Sequence, residues 1–326
     1  MASARKLEAA LAEISALRAE PRAPAALRRL RAALAHDSSH AAARAAEIAG
    51  EGELEELAPA LAQAFTRFLR HPVKSDPGCR AKEAIADALG RMGCPQEELF
   101  LVGIRHVQME PVWGGRADTA SGLRGACARG LLQTSHPSAL VEATQLLADP
   151  ELPARIAAAR ALGHSGGLHA VPGLRLKVLA GDPEASVTSE CLSALLAIDP
   201  QDSLEFAAGL LASPQRRLQE AAALALGASR LPGALAPLRA AWEACVDPNL
   251  SRVLLTAIAS MRSDESLAFL LGVVGTQPGP LAREAIDALA IFRDDEHLAA
   301  RVRATASARR DLDLGAALRE AFGAAR

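Results

Sequence analysis

Residues Arg155 to Gly163 read RIAAARALG, and the fold follows from how this phrase repeats. A small residue precedes an apolar anchor, here Leu162, and a second apolar residue, Val171, follows nine positions later. The pattern recurs around the anchors Ile48, Leu89, Leu131, Leu195, Leu226, Ile258 and Leu289, with followers at Leu57, Leu140, Leu204, Leu235, Leu267 and Leu298. From Leu131 onward, successive anchors stand 31, 33, 31, 32 and 31 residues apart. A step of that length holds two helices of three to four turns and two short turns, which is one αα unit. Such units stack on their neighbours and build a solenoid.

Breaker dipeptides lie upstream of several anchors: Asp76-Pro77, Asp149-Pro150, Asp182-Pro183, Ser213-Pro214, Asp247-Pro248 and Gln277-Pro278. Proline at the first helical position loses no internal hydrogen bond, and a preceding Asp or Ser caps free N–H groups, so these dipeptides predict helix starts. Gly90, Gly163 and Gly227 follow their anchors and predict helix ends. An extra helix over residues 3–19 and a last inner helix over 311–323, ending near Phe322, read as caps of the array.

Composition agrees. Half of the residues are hydrophobic, aromatics make up 3% and tyrosine is absent, which suits close helix packing better than sheet cores. The 36 basic and 38 acidic residues nearly cancel, which argues against the global positive field of a non-specific nucleic-acid binder. No window approaches the roughly 18 apolar residues of a membrane span, and the start from Met1 to Lys6 runs into an amphipathic stretch unlike a secretory signal. The cysteines, Cys79, Cys94, Cys127, Cys191 and Cys245, are odd in number and scattered, as fits reduced thiols in a cytoplasm.

With an outer helix, an Asp-Pro turn and an inner helix of the form Arg-x-x-x-Ala-x-Ala-Leu-Gly, residues 24–326 resemble HEAT repeats, specifically the short variety found in phycobilin lyases and many bacterial proteins. The resemblance implies an all-α, right-handed α-solenoid (superhelix) of about eight to nine helical pairs with capping helices. It implies one continuous array over residues 1–326: an N-terminal cap in 1–23, irregular repeats with two insertions in 24–135, and regular repeats with a C-terminal cap in 136–326. It implies a binding surface rather than a particular reaction, because solenoids serve many tasks.

The regular step breaks twice, from Ile48 to Leu89 and from Leu89 to Leu131, where each interval grows to about 41 residues. The first insertion, Arg70-His-Pro-Val-Lys-Ser-Asp-Pro-Gly78, is polar and reads as a long turn. The second, Met109-Glu-Pro-Val-Trp-Gly-Gly-Arg-Ala-Asp-Thr119, is the most individual stretch in the chain. Asp118 or Thr119 is placed to cap the next inner helix, which runs through Arg124, Cys127 and Leu131. Two readings of Trp113 stand. It folds back as a hydrophobic plug, with Arg116 paired to Glu110 or Asp118; or the flexible Gly114-Gly115 turn offers Trp113 and Arg116 to a partner, since these residue types dominate binding hot spots.

Two positions before the anchors stand Asp87, Arg129, Arg160, Ser193, Leu224, Thr256 and Asp287. Their neighbours are small or apolar, so this position points away from the core and traces a stripe along the concave face. Arg129 and Arg160 fall in consecutive repeats, which would favour an acidic or phosphorylated segment there. Solvated arginines that bridge to Asp87 or to neighbouring repeats are the plainer reading.

Among HEAT-like enzymes, deoxyhypusine hydroxylase holds a di-iron site with repeated His-Glu pairs. None of the eight histidines here precedes glutamate, so that ligand set is missing. Phycobilin lyases cradle a tetrapyrrole, but nothing singles out a bilin site, and Cys127 and Cys191 read as small core residues. HEAT-like DNA glycosylases need a basic groove with aromatic contacts, which this composition does not supply. No Cys-x-x-Cys, Gly-x-Ser-x-Gly, phosphate-loop or His-Glu-x-x-His motif occurs.

The resulting expectation is a non-catalytic interaction module or scaffold that binds a protein or peptide, acidic or phosphorylated, through the concave face and the loop near Trp113. Its contacts would come from Trp113, Gly114, Gly115, Arg116, Asp118, Arg124, Arg129 and Arg160. No catalytic residue, metal ligand or cofactor is assigned. The alternative is a small-ligand or tetrapyrrole-handling protein of the bilin-lyase kind.

Overall fold

The computed structural model describes residues 2–164, 167–309 and 311–323 of the chain. Within them the fold is an all-α solenoid of stacked helical pairs, interrupted by one short two-stranded sheet. Two compact units are distinguished, Met1–Gly173 and Leu174–Arg326.

The first unit contains α1 (Ala2–Ala16), α2 (Pro24–Ala35), α3 (Ser39–Glu51), α4 (Ala58–Leu69), α5 (Pro72–Ser75), α6 (Arg80–Arg91) and α7 (Glu97–Ile104). Then come β1 (Met109–Val112), β2 (Gly115–Asp118), α8 (Ser121–Gln133), α9 (Ala139–Gln145) and α10 (Leu152–His164). Helices α3, α6, α8 and α10 pack on one another in succession, and α2, α4, α7 and α9 lie outside them.

The division between the units falls inside α11 (Val171–Ala180). The second unit continues through α12 (Ala185–Ile198), α13 (Pro200–Leu210), α14 (Arg216–Ser229), α15 (Leu235–Glu243) and α16 (Pro248–Ser260). It ends with α17 (Asp264–Thr276), α18 (Gly279–Leu289), α19 (Glu296–Ser307) and α20 (Leu312–Phe322). Its inner row is α12, α14, α16, α18 and α20, with α13, α15, α17 and α19 as the outer row.

The anchors do what their spacing predicts: Ile48 and Leu89, Leu131, Leu162, Leu195, Leu226, Ile258 and Leu289 are all buried between the two rows. The followers are less uniform. Leu57 and Leu298 are buried, whereas Leu140, Val171, Leu204, Leu235 and Leu267 are half-buried at the starts of outer helices.

Two local readings differ. Gly90, Gly163 and Gly227 lie inside the last turns of α6, α10 and α14 and have no positive φ, so they do not end their helices. Gly227 is required by packing instead: a Cβ there would stand 2.2 Å from the Ala257 carbonyl oxygen of α16. Of the Asp-Pro dipeptides, Asp247-Pro248 behaves as expected, with Pro248 opening α16 and the Asp247 carboxylate accepting from the amides of Asn249 and Leu250. Asp149 and Asp182 instead accept from the amides of Glu151 and Glu184, and Ser213 from that of Gln215. These are side-chain turns that end just before the helix begins.

Two arginines close outer helices across the repeat step. Arg67 of α4 donates to the carbonyls of Leu34 and His36 at the end of α2, at 2.7 and 3.0 Å. Arg309 donates to Val274 and Gln277 at the end of α17, at 2.8 and 2.6 Å. Each satisfies carbonyls that a helix terminus leaves without partners.

Gly227→Ala is expected to force α14 and α16 apart and lower stability by about 1–3 kcal/mol, the usual cost of overpacking. Urea denaturation followed by helical circular dichroism measures it; a midpoint equal to that of the parent chain would contradict the close approach.

Candidate partner-binding site

The second insertion folds as an antiparallel hairpin, in which Met109 pairs with Asp118 and Val112 with Gly115. This loop was not expected to contain strands. Gly114, at φ +83°, makes the turn in a region that glycine favours. At its tip Trp113 is 102% exposed, so it plugs nothing. Val107, Met109 and Val112 are exposed with it. Arg116 pairs with neither Glu110 nor Asp118; its guanidinium donates to the Met109 carbonyl at 2.8 Å across the hairpin and stays exposed.

The base of the hairpin is held by buried polar groups. The first insertion contributes α5 and the buried Asp76, whose carboxylate accepts from the amides of Ala81 and Lys82 at 2.9 and 3.1 Å and so caps α6. The same carboxylate meets the Lys82 ammonium at 2.8 Å, with both side chains fully buried. Gln108 donates from Nε2 to the Asp76 carbonyl at 2.9 Å and to Glu110 Oε1 at 2.5 Å. That oxygen also accepts from the Gly78 amide at 2.7 Å and the Thr119 hydroxyl at 2.8 Å. The two insertions are therefore joined through Glu110.

Arg124, on α8, completes the base. Its Nη1 donates to Asp118 at 2.7 Å and to the His106 carbonyl at 2.9 Å. Its Nε and Nη2 make a two-point contact with Asp149, at 2.7 and 2.8 Å. The Arg124 side chain is 4% exposed; it ties the end of β2 to the turn before α10. Asp118 does not cap α8 directly. It accepts from the amides of Gln108 and Ala120 ahead of the helix, while Thr119 turns to Glu110.

Charge states follow from these contacts. Burial alone would raise the Asp118 pKa, but the amides of Gln108 and Ala120 and the Arg124 guanidinium outweigh it and hold the carboxyl below its usual range. Glu110 is likewise pushed up by burial and, more strongly, down by Gln108, Gly78 and Thr119. Burial, with Lys82 and Arg124 nearby, depresses His106 and keeps its ring neutral at pH 7. Burial also pushes Cys79 and Cys191 up to about 12, so neither is a thiolate nucleophile.

The stripe residues Asp87 and Thr256 are half-buried, and Arg129, Arg160, Ser193, Leu224 and Asp287 are exposed. Arg129 bridges to Asp87 of α6 at 2.5 Å, and Arg91 reaches the same carboxylate at 2.7 Å. Arg160 is exposed on α10.

Lys82, Gln108, Glu110 and Asp149 were not assigned to the site from the sequence. Lys82 carried a usable signal. It falls on the same face as Ile85, Ala86 and Leu89, all buried, and a lysine at a core position calls for a buried counter-charge.

The HEAT-repeat family matches residues 174–249. That stretch consists of HEAT repeats. It runs from within α11 into α16, so the hairpin and its anchors lie outside it. The chain is similar to the CpcE–CpcF complex of phycocyanin lyase from Nostoc sp. PCC7120, at 20% identity and a TM-score of 0.35 over 75% of this chain and 92% of that one. It is also similar to an engineered protein, at 16% identity and a TM-score of 0.37 over 85% and 81% of the two chains. Human deoxyhypusine hydroxylase in complex with glycerol is similar at 16% identity and a TM-score of 0.25, over 90% of this chain and 99% of that one. No curated protein matches. At such distances none of these likenesses transfers an activity or a partner. Among the described residues, no three His, Cys, Asp or Glu side chains gather as a metal site, and no helix is long and apolar enough to cross a membrane.

Arg124→Ala leaves Asp118 and Asp149 buried without their counter-charge and is expected to cost about 3–5 kcal/mol, measured by urea denaturation. Arg124→Lys should recover only part of this, because an ammonium cannot reproduce the two-point contact.

The depressed carboxyl of Asp118 also sets a pH dependence. Its contribution is complete above the ordinary aspartate value of 3.8 and is lost as pH falls through the lower folded value. The urea midpoint should therefore drop on acidification below about pH 4, and drop less steeply in Asp118→Asn.

Proposed function

We propose that the chain is a non-catalytic binding module that engages a protein or peptide partner through the tip of the hairpin. The observation that carries this reading is a fully exposed Trp113 on a hairpin whose base is fixed by buried ion pairs. An indole held in water by a rigid support is already organised for binding, so little ordering cost opposes association. Covering a tryptophan removes about 150–250 Å² from water, a gross gain of about 4–6 kcal/mol at 25 cal/mol/Å². That is the scale of a hot-spot residue.

Roles divide accordingly. Trp113 is the anchor, with Val112 and Met109 extending the apolar contact, and Gly114 and Gly115 allow close backbone approach. Arg116 sets the polarity: one donation goes to Met109, and the rest of its guanidinium faces solvent, suited to a carboxylate or phosphate. Asp118 and Arg124 position the hairpin and do not touch the partner. Arg129, which bridges to Asp87, and Arg160 would add a secondary preference for acidic segments.

Trp113→Ala is expected to weaken binding at least 30-fold, about 2 kcal/mol or more, while stability changes by no more than about 0.5 kcal/mol, as for other surface substitutions. The test is a pull-down from native lysate with the intact chain and with the variant, followed by affinity measurement on the prey identified. Equal affinity for the two chains would refute the hairpin reading.

A further inference from the structure

The outer helices of the second unit are not packed alike. Between α11 and α13 the guanidinium of Arg175 lies 4.9 Å from the centre of the Phe206 ring. Between α15 and α17 Arg239 lies 4.7 Å from the Phe269 ring, which also meets Trp242 edge-on at 5.5 Å. Between α13 and α15 no such pair is present among the described residues. Ala208, Ala241 and Ala244 face a cleft of about 410 Å³ with Leu250 and Leu254 of α16 among its lining, a size within the usual range of small-molecule sites.

The chemistry of this cleft is narrow. No charged side chain lines it. The Cys245 thiol donates to the Asp247 carbonyl at 3.3 Å. Gln219 of α14 donates from Nε2 to the Leu211 carbonyl at 3.2 Å. That bond fixes which end of the amide is nitrogen and leaves Oε1 as the one amide acceptor among the lining side chains. Apolar walls with a single oriented polar group are the pattern by which proteins hold small, mainly apolar ligands. A ligand bearing carboxylates, such as a tetrapyrrole with its propionate chains, would find no counter-charge here.

We propose that this cleft binds an uncharged, mainly apolar ring compound carrying one hydrogen-bond donor, of the indole or phenol type, with Gln219 Oε1 accepting from the donor and Leu250 and Leu254 packing against the ring. The cleft shares no residue with the hairpin, and failure of either reading leaves the other standing.

The test is calorimetric titration of the full chain with indole and with benzothiophene, which has sulfur in place of the N–H. Indole should bind saturably with a Kd below about 1 mM. Ala241→Leu and Ala208→Leu, each filling the cleft and each checked for parent-like helical content, should weaken both compounds at least tenfold. Gln219→Leu should weaken indole about fivefold, the worth of one hydrogen bond, and leave benzothiophene within twofold.

Absence of saturable binding, or binding indifferent to both filling substitutions, would overturn the proposal. Equal weakening of both compounds by Gln219→Leu would remove the assigned acceptor and overturn it in that form. Concentration-dependent self-association of the chain, abolished by Trp113→Ala and by Ala241→Leu alike, would give the cleft to the hairpin of a second copy and overturn the small-molecule assignment.

Discussion

Consecutive inner helices approach so closely that at several points one methyl group would not fit between them. A Cβ on Gly227 would meet the backbone of α16 at 2.2 Å, and one on Gly125 would meet Ala157 of α10 at 2.4 Å. This closeness explains the alanine-rich inner helices and the scarcity of aromatics. With small residues at the contact, the space toward the outer row is filled by a few larger aliphatic side chains on each inner helix, such as Leu254, Leu255 and Ile258 of α16. Such cores tolerate little added volume, so the positions at the crossings are restricted to Gly and Ala.

Where the step lengthens, a different principle takes over. The insertions cannot bury enough apolar surface to order themselves, and they are ordered instead by charge: Asp76 with Lys82, and Arg124 with Asp118 and Asp149. Buried ion pairs contribute little net stability compared with apolar packing, but removing one partner is costly, so they define geometry sharply. Here the geometry defined is that of a hairpin with its apolar tip in water. Local polar order thus translates into an exposed apolar tip on an anchored base, the feature on which the proposed binding role rests.

The second unit contrasts with this. Its regularity is high enough for a family match over residues 174–249, and the cleft between α13 and α15 is apolar rather than polar. A repeat array can leave out a large side chain at one outer step because each pair is held chiefly by its neighbours in the inner row. The gap between α13 and α15 therefore persists without unfolding the array. The two units accordingly offer surfaces of different chemistry, one built on an anchored indole and the other on an open apolar cleft.

The repeat period, the anchors and the presence of helices near both ends were legible in the sequence, because they depend on spacing and residue size along one chain direction. The second insertion was also legible as the place of individuality, since Trp113, Gly114 and Gly115 interrupt an otherwise monotonous pattern. What the residues did not reveal was the division of labour among them. Arg116 and Arg124 are equivalent as letters, yet one lies in water and the other is enclosed by carboxylates from two separate turns. Asp76 and Asp149 read as helix starts, and nothing local distinguishes a cap from half of a buried ion pair. Local pattern determines which segments become helices and where the array departs from its period. Whether a charged or aromatic side chain is buried depends on what distant segments bring against it, and only the tertiary structure decides that.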